Sequence, residues 1–193
     1  MNIGRIIADM LLIGGVVVTI VNAPVPKEQA ENVSGGAAVN VAEYVKDDEP
    51  ETMAVPYGDT SFKSYMDYRA ITNKESPQWL LEKKCKTDGK GLRRYGDDYV
   101  IAVGSYYSKH IGERLRITLD TGESFTAVVG DFKADCHTDG TNRYTMAGES
   151  KNVIEFIVDT KCLDRKAKLM GDISYITGMS GNIRSIEKHY DRP

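Results

Sequence analysis

Residues 130 to 140, GDFKADCHTDG, crowd Asp131, Asp135, Asp139, Cys136, His137 and Lys133 into eleven positions. Carboxylates suit a hard cation such as calcium, whereas a Cys/His pair suits zinc. Mixed hard and soft donors in one short loop select poorly for either ion, and D-x-x-x-D-C-H-x-D fits no EF-hand spacing. No metal or other cofactor is therefore assigned to the stretch. The remaining chemistry is acid/base work by carboxylates, with His137 able to relay a proton near neutral pH. Asp139-Gly140-Thr141-Asn142 reads as a turn.

A second carboxylate lies far along the chain, in VIEFIVD at 153 to 159. Side chains alternate faces along a strand, so Val153, Glu155 and Ile157 share one face and Ile154, Phe156 and Val158 the other. Apolar neighbours disfavour the charged form of Glu155, which is what a general acid working near neutral pH requires. The same alternation in SFTAVVGD places Phe125, Ala127, Val129 and Asp131 together, so Asp131 is expected at the rim of the core. Lys133 and Arg143 are candidates to contact acidic substrate groups, Asp135 and His137 are further substrate-binding candidates, and Tyr107, with Tyr106 and Tyr144, is a candidate to stack on sugar rings.

The elements that must position these groups follow from local signals. Ser76-Pro77 opens a helix in SPQWLLEKKC, because serine caps and proline fits the first turn. From residue 99 the pattern is strand-like: YVIAVGSYY (99–107), ERLRITLD (113–120), SFTAVVGD (124–131), NVIEFIVD (152–159), DISYI (172–176) and NIRSIEKHY (182–190). Thr121-Gly122 marks a tight hairpin, and DRKAKLM (164–170) a short helical insert. Six short strands with one or two short helices predict a mainly β fold, a small closed barrel rather than a sandwich.

The chain of 193 residues has a net charge of -3. That length suits one domain with extensions, and the charge lacks the basic field of a nucleic-acid binder, so no nucleic-acid partner is expected. MNIGRIIADMLLIGGVVVTIVNA (1–23) sets Arg5 ahead of an apolar run, as in a signal peptide or a membrane anchor. The protein is therefore expected to be exported, and held at the membrane if the segment is uncleaved. Residues 24 to 60 carry eight acidic residues against two lysines and read as a disordered acidic linker. Residues 61 to 193, with 22 basic against 19 acidic residues, form the β-barrel domain, with a helical lead-in at 76–85. Cys85, Cys136 and Cys162 contain no C-x-x-C, which argues against a structural zinc site. They leave open one bridge with a free thiol or three reduced cysteines.

From Tyr99 onward the order AVGSYYSKHIGERLRITLDTG (102–122), FTAVVGD (125–131) and VIEFIVD (153–159) resembles the double-psi β-barrel of the three-aspartate (3D) domains of lytic transglycosylases. It is also similar to the barrels of rare lipoprotein A and expansins. The resemblance covers about 90 residues. It implies a peptidoglycan or other cell-wall glycan as partner, Glu155 as the acid/base and Asp131 in support. The family's first aspartate falls at Gly104 here, with Asp97 or Asp98 the nearest alternatives. The implied reaction cleaves the glycan strand with a single carboxyl, while a hydrolase would use two at a defined separation. A non-catalytic glycan- or protein-binding barrel is the alternative.

Overall fold

The computed structural model describes residues 50–189. The N-terminal segment and most of the acidic linker read from the sequence lie outside these residues. Eleven strands and two helices follow one another as β1 (Glu51–Met53), β2 (Ser64–Asp67), α1 (Pro77–Glu82), β3 (Lys86–Thr87), β4 (Arg93–Tyr95), β5 (Asp98–Val103), β6 (Arg114–Leu119), β7 (Ser124–Phe132), β8 (Thr145–Ala147), β9 (Ser150–Asn152), β10 (Ile154–Val158), α2 (Arg165–Met170) and β11 (Ile183–His189). The fold is mainly β with two short helices.

The local signals explain several elements directly. The Ser76 hydroxyl accepts the Trp79 amide at 3.2 Å and Pro77 occupies the first turn of α1, as an N-cap should. Asp164 caps α2 in the same way, accepting from the amides of Lys166 and Ala167. Strands β6 and β7 form the antiparallel hairpin expected around Thr121-Gly122, with Gly122 at a φ of 92°. Residues 172–176, read as a strand, instead form a 3-10 turn over Ile173–Tyr175. The Asp172 carboxylate accepts the Ser174 amide at 2.8 Å and the Lys63 amide at 3.1 Å. That side-chain competition for backbone donors favours a turn over a ladder, and it leaves Ile173 and Ile176 in the core.

Pairing runs β1-β11-β6-β7-β5-β10-β2, with β3 and β4 attached to β5 and a separate β8-β9 hairpin. The sheet is not closed into the barrel expected from the sequence: this is an open path whose ends, β1 and β2, are consecutive in the chain. Two adjacent pairs are parallel, β5 with β7 and β10 with β2. The start of the domain also moves. Residues 51–53, placed by composition in the linker, pair with β11, and Thr60 is buried, its hydroxyl accepting the Ile183 amide at 2.9 Å.

One face of the sheet carries the main core, including Ile101, Val103, Leu115, Ile117, Val129, Ile154 and Phe156. The opposite face carries a smaller cluster of Val100, Val128, Ile157 and Cys85, against which Leu81 of α1 packs.

Candidate functional site

Asp131 reaches its place through a backbone irregularity. The β5–β7 register shifts between Ile101 and Ala102, so that Val129 pairs Ile101 but Asp131 pairs Ala102, leaving Gly130 as the extra residue. Such a bulge reverses the parity beyond it. Asp131 therefore does not continue the row of Ala127 and Val129; it lies on the smaller-cluster face with Val100 and Ala102. Gly130 is required there, because a Cβ would meet Val100 Cγ1 at 2.3 Å and Ile157 Cδ1 at 3.0 Å.

Ala102 also pairs Glu155 of β10, which in turn pairs Ser64 of β2. Asp131, Ala102, Glu155 and Ser64 thus form one row across four strands. Neighbouring strands lie about 4.8 Å apart, so two steps separate the Cα atoms of Asp131 and Glu155 by about 10 Å. Both carboxylates are half-buried. Gln78 of α1 donates to Asp131 Oδ1 at 3.4 Å.

Around Glu155 a polar network converges from four segments. Ser64 Oγ donates to Glu155 Oε1 at 3.0 Å and accepts from Asn152 Nδ2 at 2.6 Å. Asn152 Oδ1 accepts the Ser64 amide at 3.1 Å, and its Nδ2 also donates to Thr145 Oγ1 at 3.2 Å. Thr145 and Asn152 face each other in the β8-β9 hairpin, so this small hairpin orients the serine that orients the glutamate. Lys133, just past β7, is only 7 % exposed and donates from Nζ to Thr145 Oγ1 at 3.4 Å. Burial pulls its ammonium from 10.5 down to about 8, opposed by the attraction of Glu155. A buried lysine held by one long hydrogen bond is costly to keep charged.

The other sequence candidates separate from this row. Asp135 is exposed and accepts from Ser105 Oγ at 2.7 Å; His137, in the same 3-10 turn, is exposed. The Asp139 carboxylate organises the loop, as the turn reading expects. Partial burial works against its charge, but hydrogen bonds from Thr141 and from the amides of Arg143 and Tyr144 hold it at about 2. The Arg143 guanidinium lies 4.2 Å over the Tyr106 ring. Tyr107, read as a sugar-stacking residue, is fully buried, packs edge-on against Tyr106 at 5.1 Å and donates to the Ala54 carbonyl at 3.2 Å. It is a core residue, and burial raises its phenol.

Gly104, where the resembling family has an aspartate, has no room for a side chain: a Cβ would lie 2.0 Å from the Asn142 carbonyl oxygen. Asp98 is held by Arg114, whose Nε and Nη2 donate to its carboxylate at 2.7 and 3.1 Å. All three cysteines are free, Cys85 buried and the other two exposed; burial raises the Cys85 thiol to about 12. Among the described residues no three His, Cys, Asp or Glu side chains group to hold a metal ion, and no helix is long and apolar enough to cross a membrane.

Sequence reading missed Ser64, Thr145 and Asn152. They carry no motif, and only the pairing of β2 with β10 and the fold of the β8-β9 hairpin bring them to Glu155. No protein-family model matches the chain, and comparison with curated proteins and with solved structures finds none similar to it.

Proposed function

We propose that the protein is exported, held at the membrane by residues 1–23, and cleaves peptidoglycan glycan strands in the manner of a lytic transglycosylase. The observation that carries the reading is the row Asp131–Ala102–Glu155–Ser64 with Lys133 beside Glu155. Glu155 is the acid/base. Its carboxyl proton passes to the glycosidic oxygen as the C1–O bond breaks, and the muramoyl 6-hydroxyl oxygen then bonds to C1 while its proton returns to Glu155. Ser64 engages Oε1 and so fixes the orientation of the carboxyl. Lys133 supplies the positive charge that offsets developing anionic character, which is worth most where water is scarce. Asp131 supports from β7, two strands away across β5.

We further propose that the open sheet is an opened relative of the double-psi barrel, with residues 51–67 supplying the two strands at its ends. Two features support this: the two parallel pairs, and the consecutive strands at the two ends of the pairing path.

The test is digestion of purified peptidoglycan by the full chain, with mass spectrometry of the products. Anhydromuropeptides that disappear in Glu155→Gln support the reading, while new reducing ends indicate a two-carboxylate hydrolase. A second reading, a glycan- or protein-binding domain without turnover, is favoured by the absence of space for a carboxylate at Gly104. It predicts no product and undiminished sedimentation with the wall.

A further inference from the structure

Beside the Glu155 face, a groove of about 530 Å³ opens between α1 and the 3-10 turn Tyr68–Ala70. Its lining joins two half-buried aromatic rings, Tyr68 and Trp79, to four cations and a single carboxylate, Glu82. The arginines are committed to the framework. Arg93 pairs with Glu82 through Nε and donates to Thr87 Oγ1 at 2.8 Å and to the carbonyls of Glu82 and Cys85 at 3.1 and 3.0 Å. Its guanidinium also lies 4.4 Å over the Tyr68 ring. Arg69 pairs with Asp67 and, at 3.0 Å, with Asp159, and lies 5.0 Å from the same ring. Tyr68 is thus held by two immobilised guanidinium groups. Lys83, 4.6 Å over the Trp79 ring, and Lys74 are exposed at the lining.

Rigid aromatic surface beside exposed ammonium groups recognises a ring that carries an anion. The groove is also continuous in sequence with the Glu155 network. Strand β2 runs from Ser64, which holds Glu155, to Asp67, the residue before Tyr68, an extended path of about 10 Å. We infer that the groove is a binding site for a carboxylate-bearing sugar unit, with Trp79 and Tyr68 against the ring and Lys74 and Lys83 on the carboxylate. This rests on the glycan reading above and specifies which part of the glycan is held away from the reacting bond.

Trp79 is the sole tryptophan of the chain, so its fluorescence reports on the groove directly. The full chain is titrated with N-acetylmuramic acid and, separately, with N-acetylglucosamine, which differs by the lactyl carboxylate. A saturable fluorescence change about fivefold tighter for the acid, falling with added salt, is expected from two exposed ion pairs. The double variant Lys74→Ala/Lys83→Ala is expected to lose that preference while keeping the wild-type melting temperature. Equal responses to the two sugars, no saturable response, or a preference unchanged in the double variant would overturn the inference. The titration is repeated with Glu155→Gln. Unchanged sugar preference there, with no peptidoglycan product from the wild type, sinks the catalytic reading and leaves the groove standing. Product from the wild type without sugar discrimination sinks the groove alone.

Discussion

Lys133 offers the sharpest quantitative test. The residue is 7 % exposed, and burial pulls its ammonium from 10.5 to about 8. At about 1.4 kcal/mol per pH unit, a fall of about 2.5 pH units corresponds to about 3 kcal/mol of preference for the neutral amine. Because the folded value lies below the unfolded one, the folded protein binds fewer protons between about pH 8 and 10.5, and stability rises across that window. Below about pH 8 the full penalty is present. Lys133→Met keeps the volume and removes the charge, so at pH 7 the variant is expected to be more stable than the wild type by up to about 3 kcal/mol. The advantage should fall to about a quarter of that by pH 10 and vanish above about pH 10.5. Lys63, also buried and pulled to about 8, titrates in both proteins and cancels in the difference. Urea unfolding of the full chain, followed by Trp79 fluorescence at pH 7 and pH 10, gives both numbers. A variant less stable than the wild type at pH 7, or a difference that does not change with pH, would show that the ammonium is well solvated or well paired and that the burial argument fails. A more stable variant that no longer releases product is the outcome expected of a lysine kept for function at the expense of stability.

Three further outcomes follow from the packing. Gly104→Asp, which restores the carboxylate of the resembling family, is expected to destabilise by about 3 kcal/mol or more, since even a Cβ meets the Asn142 carbonyl oxygen at 2.0 Å; thermal melting reads it. Arg93→Leu strands the Glu82 carboxylate, whose Oε2 is already buried without a hydrogen-bond partner, and should cost about 3–5 kcal/mol. Adding Glu82→Leu to that variant should recover much of the loss in the same denaturation assay. Tyr107→Phe removes one hydrogen bond to Ala54, worth about 1 kcal/mol, and should leave glycan binding and product formation unchanged; a large loss of binding at unchanged stability would restore Tyr107 to the substrate site.

What the sequence determined by itself was local. The cap at Ser76, the hairpin at Thr121-Gly122 and the alternation that sets Glu155 and Ile157 opposite Ile154, Phe156 and Val158 are each decided by residues within a few positions and appear in the structure, except that Val153, read with Glu155, precedes the strand and packs in the main core. Tertiary structure decided the rest. Strand parity sent Asp131 towards the core rim, but the bulge at Gly130 turned it to the face of Glu155, and a bulge is defined by the partner strand rather than by the bulged one. Composition assigned residues 51–60 to a linker, yet residues 51–53 pair with the distant β11 and Thr60 accepts its Ile183 amide, because a ladder supplies the hydrogen-bond partners a short polar segment otherwise takes from water. Ser64, Thr145 and Asn152 are ordinary polar residues until β2 and the β8-β9 hairpin bring them to one carboxylate. The sequence alone could nominate Glu155; its surroundings depend on contacts between segments up to 91 residues apart, beyond the reach of any local pattern.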